Sequence, residues 1–155
     1  CFGVFYSHYT NPVDAKGRVS VPADFRARLG DENQICAWQS AAGPFLQAGG
    51  KAMVRAYEQA LSKLPSHAPS TRAMARATLG RMRYMAWDST GRIVIPAVLG
   101  EHMGLTSRAV FVGVGPVFEI WDEEVYLAQG DPSVHVTQAD WMDLQVDFSA
   151  EGGSA

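Results

Sequence analysis

The sequence predicts an α+β fold made of two tandem copies of one small β-rich unit, packed on each other as a pseudo-dimer, with connecting helices. Three observations carry this expectation. Segment 13–22 aligns with segment 87–96, sharing Asp14/Asp88, Gly17/Gly91, Arg18/Arg92 and Pro22/Pro96. The order of apolar stretches and chain breakers after each segment is the same. Two units of roughly fifty residues bury too little surface alone, yet hydrophobic residues make up 47% and charged residues 19% of the 155-residue chain, enough for one shared core.

Each element follows in order. β-branched Val19 and Val21, matched by Ile93 and Ile95, fill the positions between arginine and proline as short strands do. Pro22 and Pro96 then open short helices, since their fixed φ and missing N–H suit a first turn, and both helices close near a glycine, Gly30 and Gly104. Strands are predicted over 34–38 and 109–114. Each is broken by Gly-Pro (Gly43-Pro44, Gly115-Pro116), and strands return over 45–47 and 117–121. A helix follows in each copy, long over 51–63 and short over 123–129. The long one places Val54, Tyr57, Leu61 and Leu64 three or four apart, a stripe expected to pack into the core. Segment 64–70, with Pro65 and Pro69, reads as a linker, 71–79 as a helix and 81–86 as a strand. Beyond Gln129 the chain turns acidic and loses periodicity, and an extended or mobile tail is expected. The domains predicted are therefore a first repeat over 6–53, a helical connector over 54–79, a second repeat over 80–125 and an acidic C-terminal helix or tail over 126–155.

Composition narrows the function. No apolar run approaches the roughly 18 residues of a membrane-spanning helix. The segment from Cys1 to Phe5 lacks the pattern of a secretory signal, so the expected location is intracellular. Cys1 and Cys36 are too far apart for a zinc knuckle. His8, His67, His102 and His135 show no metal-ligand spacing, so neither a metal nor a cofactor is predicted. Ser20 has no assignable activating base, and neither a Gly-x-Ser-x-Gly string nor a phosphate-cradling glycine loop occurs, so the chain reads as no enzyme and without a small-molecule substrate. The net charge of −3 hides an asymmetry. Residues 1–100 carry 12 Lys and Arg against 6 Asp and Glu, whereas residues 101–155 carry 1 against 10. The basic part is free to meet phosphate while the acidic part solvates another face.

The repeated Asp-x-x-Gly-Arg has a local rationale. Gly17 and Gly91 permit a turn with positive φ, and Asp14 and Asp88 can accept backbone hydrogen bonds inside it. Arg18 and Arg92 leave the turn where a guanidinium can reach solvent. Two readings stay open from the motif alone: each arginine pairs with its aspartate to hold the loop, or the aspartate orients a guanidinium that also meets phosphate.

Segment 14–22 with Phe25-Arg26 downstream resembles the first signature of the MraZ family, and segment 88–96 resembles the second. The tandem arrangement and Phe118-Glu119-Ile120-Trp121 extend the likeness over roughly residues 2–145. The resemblance implies two SpoVT–AbrB units forming a swapped-hairpin, double-split β-barrel-like core. It also implies a cytoplasmic, nucleoid-associated transcriptional regulator that binds double-stranded DNA. The targets would be short direct repeats upstream of a cell-division and cell-wall operon, bound by a ring-shaped homo-oligomer, an octamer or larger. DNA contact then falls on Lys16, Arg18 and Arg92, with Asp14, Gly17, Asp88 and Gly91 shaping the turns. Thr90 stands where the first motif has Lys16, which weakens the second motif's attraction for phosphate. Arg26 and Arg28 read equally well as solvated helix residues. The competing class is an AbrB-type antitoxin or protein-interaction module that uses the acidic segment to hold a protein partner.

Overall fold

Proline ends the strand after each motif and begins a helix. In the computed structural model, which describes residues 4–149, the elements are β1 (His8–Pro12), β2 (Arg18–Ser20), α1 (Ala23–Leu29), β3 (Gln34–Gln39), β4 (Leu46–Gly49), α2 (Lys51–Ser62), α3 (Pro69–Ala77), β5 (Arg83–Ala86), β6 (Arg92–Val94), α4 (Ala97–Met103), β7 (Arg108–Gly113), β8 (Phe118–Asp122), α5 (Glu123–Val125), α6 (Pro132–His135) and α7 (Gln138–Asp143). Pro22 (φ −52°) and Pro96 (φ −58°) occupy the residue before α1 and α4. Phe25 and Leu29, and their counterparts Leu99 and Met103, are buried one helical turn apart. Gly30 (φ 62°) and Gly104 (φ 64°) end the two helices in a conformation that glycine adopts without strain.

The fold is α+β and its strand pairing is antiparallel. Six strands form one sheet in the order β1-β7-β8-β4-β3-β5, and β2 and β6 form a separate two-stranded ribbon. A shift of 74 residues carries Gly17 to Gly91 and Pro22 to Pro96. The pairing obeys the same shift. Pro12 faces Arg108 in β1–β7 as Ala86 faces Gln34 in β5–β3. Thus the strand ahead of each motif pairs with the strand that follows the other motif. Loop bonds repeat too: Val13 N–H donates to Ser107 O at 2.8 Å, and Trp87 N–H donates to Asn33 O at 3.1 Å.

One core fills the space between sheet, ribbon and α1/α4. Phe25 lies at its centre, with ring centroids 4.8 Å from Phe118, 5.3 Å from Phe5 and 5.6 Å from Tyr9. Burying a side chain of this size stabilises by about 1.5–3 kcal/mol. Val19 and Val21 of the first motif and Ile93 and Ile95 of the second point into the same cluster. Asp122 is buried at the β8–α5 corner and fully engaged: it accepts from Thr106 N and Oγ1, both at 2.8 Å, and from Glu124 N and Val125 N.

Three expectations are corrected. Of the stripe Val54, Tyr57, Leu61 and Leu64, only the first two pack against a core cluster. Only Met53 of α2 is buried, Val54 and Tyr57 are half-buried beside the small cluster of Cys36, Trp38 and Met53, and Leu64 is exposed. The helix rests on β4 at one margin, and a groove of about 610 Å³ stays open between α2 and Pro116-Val117. The segment after Gln129 is not extended throughout. Asp131 accepts from Ser133 N to start α6, and Thr137 with Asp140 forms a capping box that starts α7. Both helices remain exposed, and the end beyond residue 149 lies outside the described residues, as does Cys1. The helix expected over 123–129 is α5 followed by a single wide turn over Tyr126–Gly130. Among the described residues no helix is long and apolar enough to cross a membrane.

Candidate nucleic-acid interface

The two motif turns are built from the same bonds. In the first, Asp14 Oδ1 accepts the backbone N–H of Lys16 and of Arg18, each at 2.9 Å, and Gly17 N–H donates to Asp14 O at 3.0 Å. In the second, Asp88 Oδ1 accepts from Thr90 N at 2.9 Å and Arg92 N at 3.0 Å, and Gly91 N–H donates to Asp88 O at 2.9 Å. Closing each turn this way requires φ of +80° at Gly17 and +85° at Gly91.

Each turn then feeds an arginine into the ribbon. The register is Arg18 opposite Val94, Val19 opposite Ile93 and Ser20 opposite Arg92. Side chains alternate along a strand. With Val19 and Ile93 buried, Arg18, Ser20, Arg92 and Val94 share the outer face. Arg18 and Arg92 are diagonal neighbours on it, a relation that sets them roughly 7–8 Å apart at the backbone. A cleft of about 230 Å³ runs between them and is lined by both arginines and by Ser20. The ribbon thus brings the arginines of two distant motifs onto one surface. Lys16 lies at the exposed tip of the first turn, and its side chain makes no hydrogen bond or ion pair among the described residues.

Both aspartate pairings are formed. Arg18 Nε lies 2.6 Å from Asp14 Oδ2, and Arg92 Nε lies 3.3 Å from Asp88 Oδ2. Among the described residues these contacts use Nε only, which leaves the terminal amino groups of both guanidiniums for a further acceptor. The backbone N–H of Arg18, then its side chain and the backbone of Lys16, hold Asp14 below the usual carboxylate range. Asp88 is lowered further, by the Arg92 backbone N–H first and the Thr90 hydroxyl second. Lowering favours the charged form of both carboxylates, and that form orients the arginines. Being solvent-exposed pairs, they contribute little to stability.

Thr90 is turned inward: its hydroxyl donates to Asp88 Oδ1 at 2.7 Å and accepts from Arg92 Nε at 3.1 Å. It occupies the place of Lys16 with a neutral brace. Arg26 is not a solvated helix residue. Its Nε donates to Val21 O at 3.1 Å, and its guanidinium lies against Gly91. Arg28 lies over the Tyr6 ring, its Cζ 4.8 Å from the centroid. Motif reading passes over Ser20 for this face, although strand alternation places it there with the arginines. Among the described residues no group of three His, Cys, Asp or Glu could hold a metal ion.

Comparison with known proteins gives the family. A family model described as "MraZ protein, putative antitoxin-like" matches residues 83–134. A protein of Rickettsia canadensis named Transcriptional regulator MraZ is 37% identical over 123 residues, 78% of this chain and 83% of that protein. Its namesake in Parvibaculum lavamentivorans is 38% identical over 127 residues, covering 80% of this chain and 79% of its own. That of Rickettsia felis is 34% identical over 137 residues, covering 85% and 92%. The resemblance of the motif segments is thereby carried across most of the molecule, and the chain belongs to the MraZ family of transcriptional regulators.

Proposed function

We propose that this protein binds double-stranded DNA through the β2–β6 ribbon, with Lys16, Arg18 and Arg92 making the contacts and Asp14, Gly17, Asp88 and Gly91 holding the turns. The observation that carries the reading is the shared outer face on which Arg18 and Arg92 stand with their terminal amino groups unspent. A two-stranded ribbon is narrow enough to enter the major groove of B-DNA, where an arginine can take a guanine edge in a bidentate contact or a phosphate. In this reading the chain is a sequence-specific regulator acting in the cytoplasm on the nucleoid, without cofactor or catalysis. Its targets are short direct repeats upstream of a cell-division and cell-wall operon.

The same proposal assigns the two halves, over 6–53 and 80–125, to SpoVT–AbrB units with exchanged hairpins packed as a pseudo-dimer. The connector spans 54–79 and the acidic helices and tail span 126–155. The crossed pairing of β1 and β5 supports it. Three basic contacts per chain give weak binding, so ring-shaped self-association supplies the affinity: each subunit placed on a matching repeat raises the effective concentration of the next. Exposed Trp141, Met142, Leu144, Val146 and Phe148 offer apolar surface for such assembly.

Arg18→Ala and Arg92→Ala test the reading. Each is expected to lower affinity for repeat-bearing DNA by about 1–3 kcal/mol and to reduce the salt slope by about one, with the oligomer intact. Unchanged binding in both variants, or loss of folding in place of binding, contradicts it. A second reading, that the C-terminal helices hold a protein partner as an antitoxin does, is favoured by the same exposed apolar residues. Capture of a toxin encoded beside the gene would decide for it.

A further inference from the structure

The two halves match in backbone, yet a side chain beneath the turns breaks the match. The shift of 74 residues that carries Gly17 to Gly91 and Val21 to Ile95 carries Arg26 to Gly100. Under the second turn, Arg26 reaches from α1. Its Nε donates to Val21 O at 3.1 Å. A Cβ built on Gly91 would stand 2.6 Å from its Cζ and 2.7 Å from its Nε, so the guanidinium lies flat against that glycine. Val21 in turn donates its N–H to Gly91 O at 3.0 Å. The guanidinium, the Val21 peptide and the Gly91 turn therefore form one closed set of contacts. Arg92 emerges directly from it.

Under the first turn the backbone half of this set is repeated, with Ile95 N–H donating to Gly17 O at 2.9 Å. The side-chain half is missing. Gly100 offers nothing to reach Ile95 O, and a Cβ placed there would meet only Leu105, at 3.8 Å. A cavity of about 340 Å³ opens in its place, lined by Asp14, Gly17, Ile95, Gly100, Glu101 and Gly104 among others. We propose that Arg26 is a positioning residue that clamps the second DNA-contact turn and presents Arg92. The first turn, which carries Lys16 and Arg18, has no such clamp among the described residues and is the adaptable member of the pair. Only the consequence for DNA rests on the proposed function; the clamping does not.

Amide hydrogen exchange resolved at single residues in the full chain tests the clamp. In Arg26→Ala, exchange at Thr90, Gly91 and Arg92 is expected to rise by about tenfold while Lys16, Gly17 and Arg18 keep their rates. Arg26→Lys keeps the charge and stem without the planar fork and is expected to show the same local rise, which covers the case in which the alanine variant does not fold. In Gly100→Arg the added guanidinium reaches Ile95 O, and exchange at the first turn slows several-fold. For DNA, Arg26→Ala is expected to weaken binding several-fold in the parent and hardly at all in an Arg92→Ala background. An equal rise at both turns, or no rise at the second, overturns the assignment; additive losses with Arg92→Ala overturn the presentation of Arg92. If neither parent nor variants bind DNA, the proposed function fails while the exchange data still decide the clamp.

Discussion

Replacing three positive-φ glycines by alanine separates backbone strain from the contacts behind it. Gly104, Gly17 and Gly91 have φ of +64°, +80° and +85°. An alanine at such an angle is strained by about 1–2 kcal/mol, offset by about 0.4–1 kcal/mol through the stiffer unfolded chain. A Cβ at Gly104, where ψ is 35°, meets only Val125 Cγ2 at an ordinary 3.7 Å, so Gly104→Ala keeps that residue of strain alone, roughly 1 kcal/mol. At Gly17 the Cβ meets Ile95 O at 3.1 Å, a backbone atom that yields little, and the cost rises to about 1–2 kcal/mol. At Gly91 the Cβ falls 2.6 Å from Arg26 Cζ. The guanidinium must leave, and with it goes a hydrogen bond to Val21 O that is worth about 1.5–3 kcal/mol at full strength and less at this half-buried place. Gly91→Ala is therefore expected to cost about 2–4 kcal/mol, a drop in Tm of roughly 5–15 °C for a chain of this size. Urea and thermal unfolding give the three values on one scale. Equal costs at all three positions, or a Gly91→Ala no worse than Gly104→Ala, would refute the packing of Arg26 on the second turn.

Further outcomes follow from the same geometry. Asp14 and Asp88 are both held below the ordinary carboxylate value by the turn N–H groups they accept. Their contribution is therefore present above that value and is lost as pH falls below it. Between pH 5 and 2 the fall in Tm should be shallower in Asp88→Asn than in the parent, and an unchanged slope would show that Asp88 is not held low. The Cys36 thiol is buried and pushed up to about 11. At pH 8 only about one in a thousand is thiolate, so native Cys36 should react with a thiol reagent at least a hundredfold more slowly than the urea-unfolded chain; comparable rates would place the thiol at the surface. Removing residues 141–155 deletes Trp141, Met142, Leu144, Val146 and Phe148. On the proposed ring assembly it should lower the subunit number measured by light scattering, and an unchanged number would contradict assembly through these residues.

How far the fold is legible in the sequence depends on the range of the interactions. The motif turns are legible because Asp, Gly and Arg act within four residues, and the helices after Pro22 and Pro96 because proline sets φ locally. The crossed partners of β1 and β5 are not legible: nothing within His8–Pro12 says that it pairs with β7, which lies across the chain. The α2 stripe misleads because helical periodicity reports an apolar face but not what covers it, and here the groove beside it stays open. The capping box of Thr137 and Asp140 is a signal that the acidic composition masks. At the interface, the turns and their arginines are readable singly, whereas their union on one face depends on the β2–β6 register. Arg26 is unreadable for the same reason, since its partner Gly91 belongs to the other half.

The most direct test of the central claim is fluorescence anisotropy with a duplex carrying several short direct repeats from upstream of the protein's own gene, set against a scrambled duplex over a range of salt. Tighter binding to the repeats, with log affinity falling by about 0.9 per decade of salt for each phosphate contacted, is the predicted result. Equal and weak binding to both duplexes at low salt would contradict a ribbon that reads DNA.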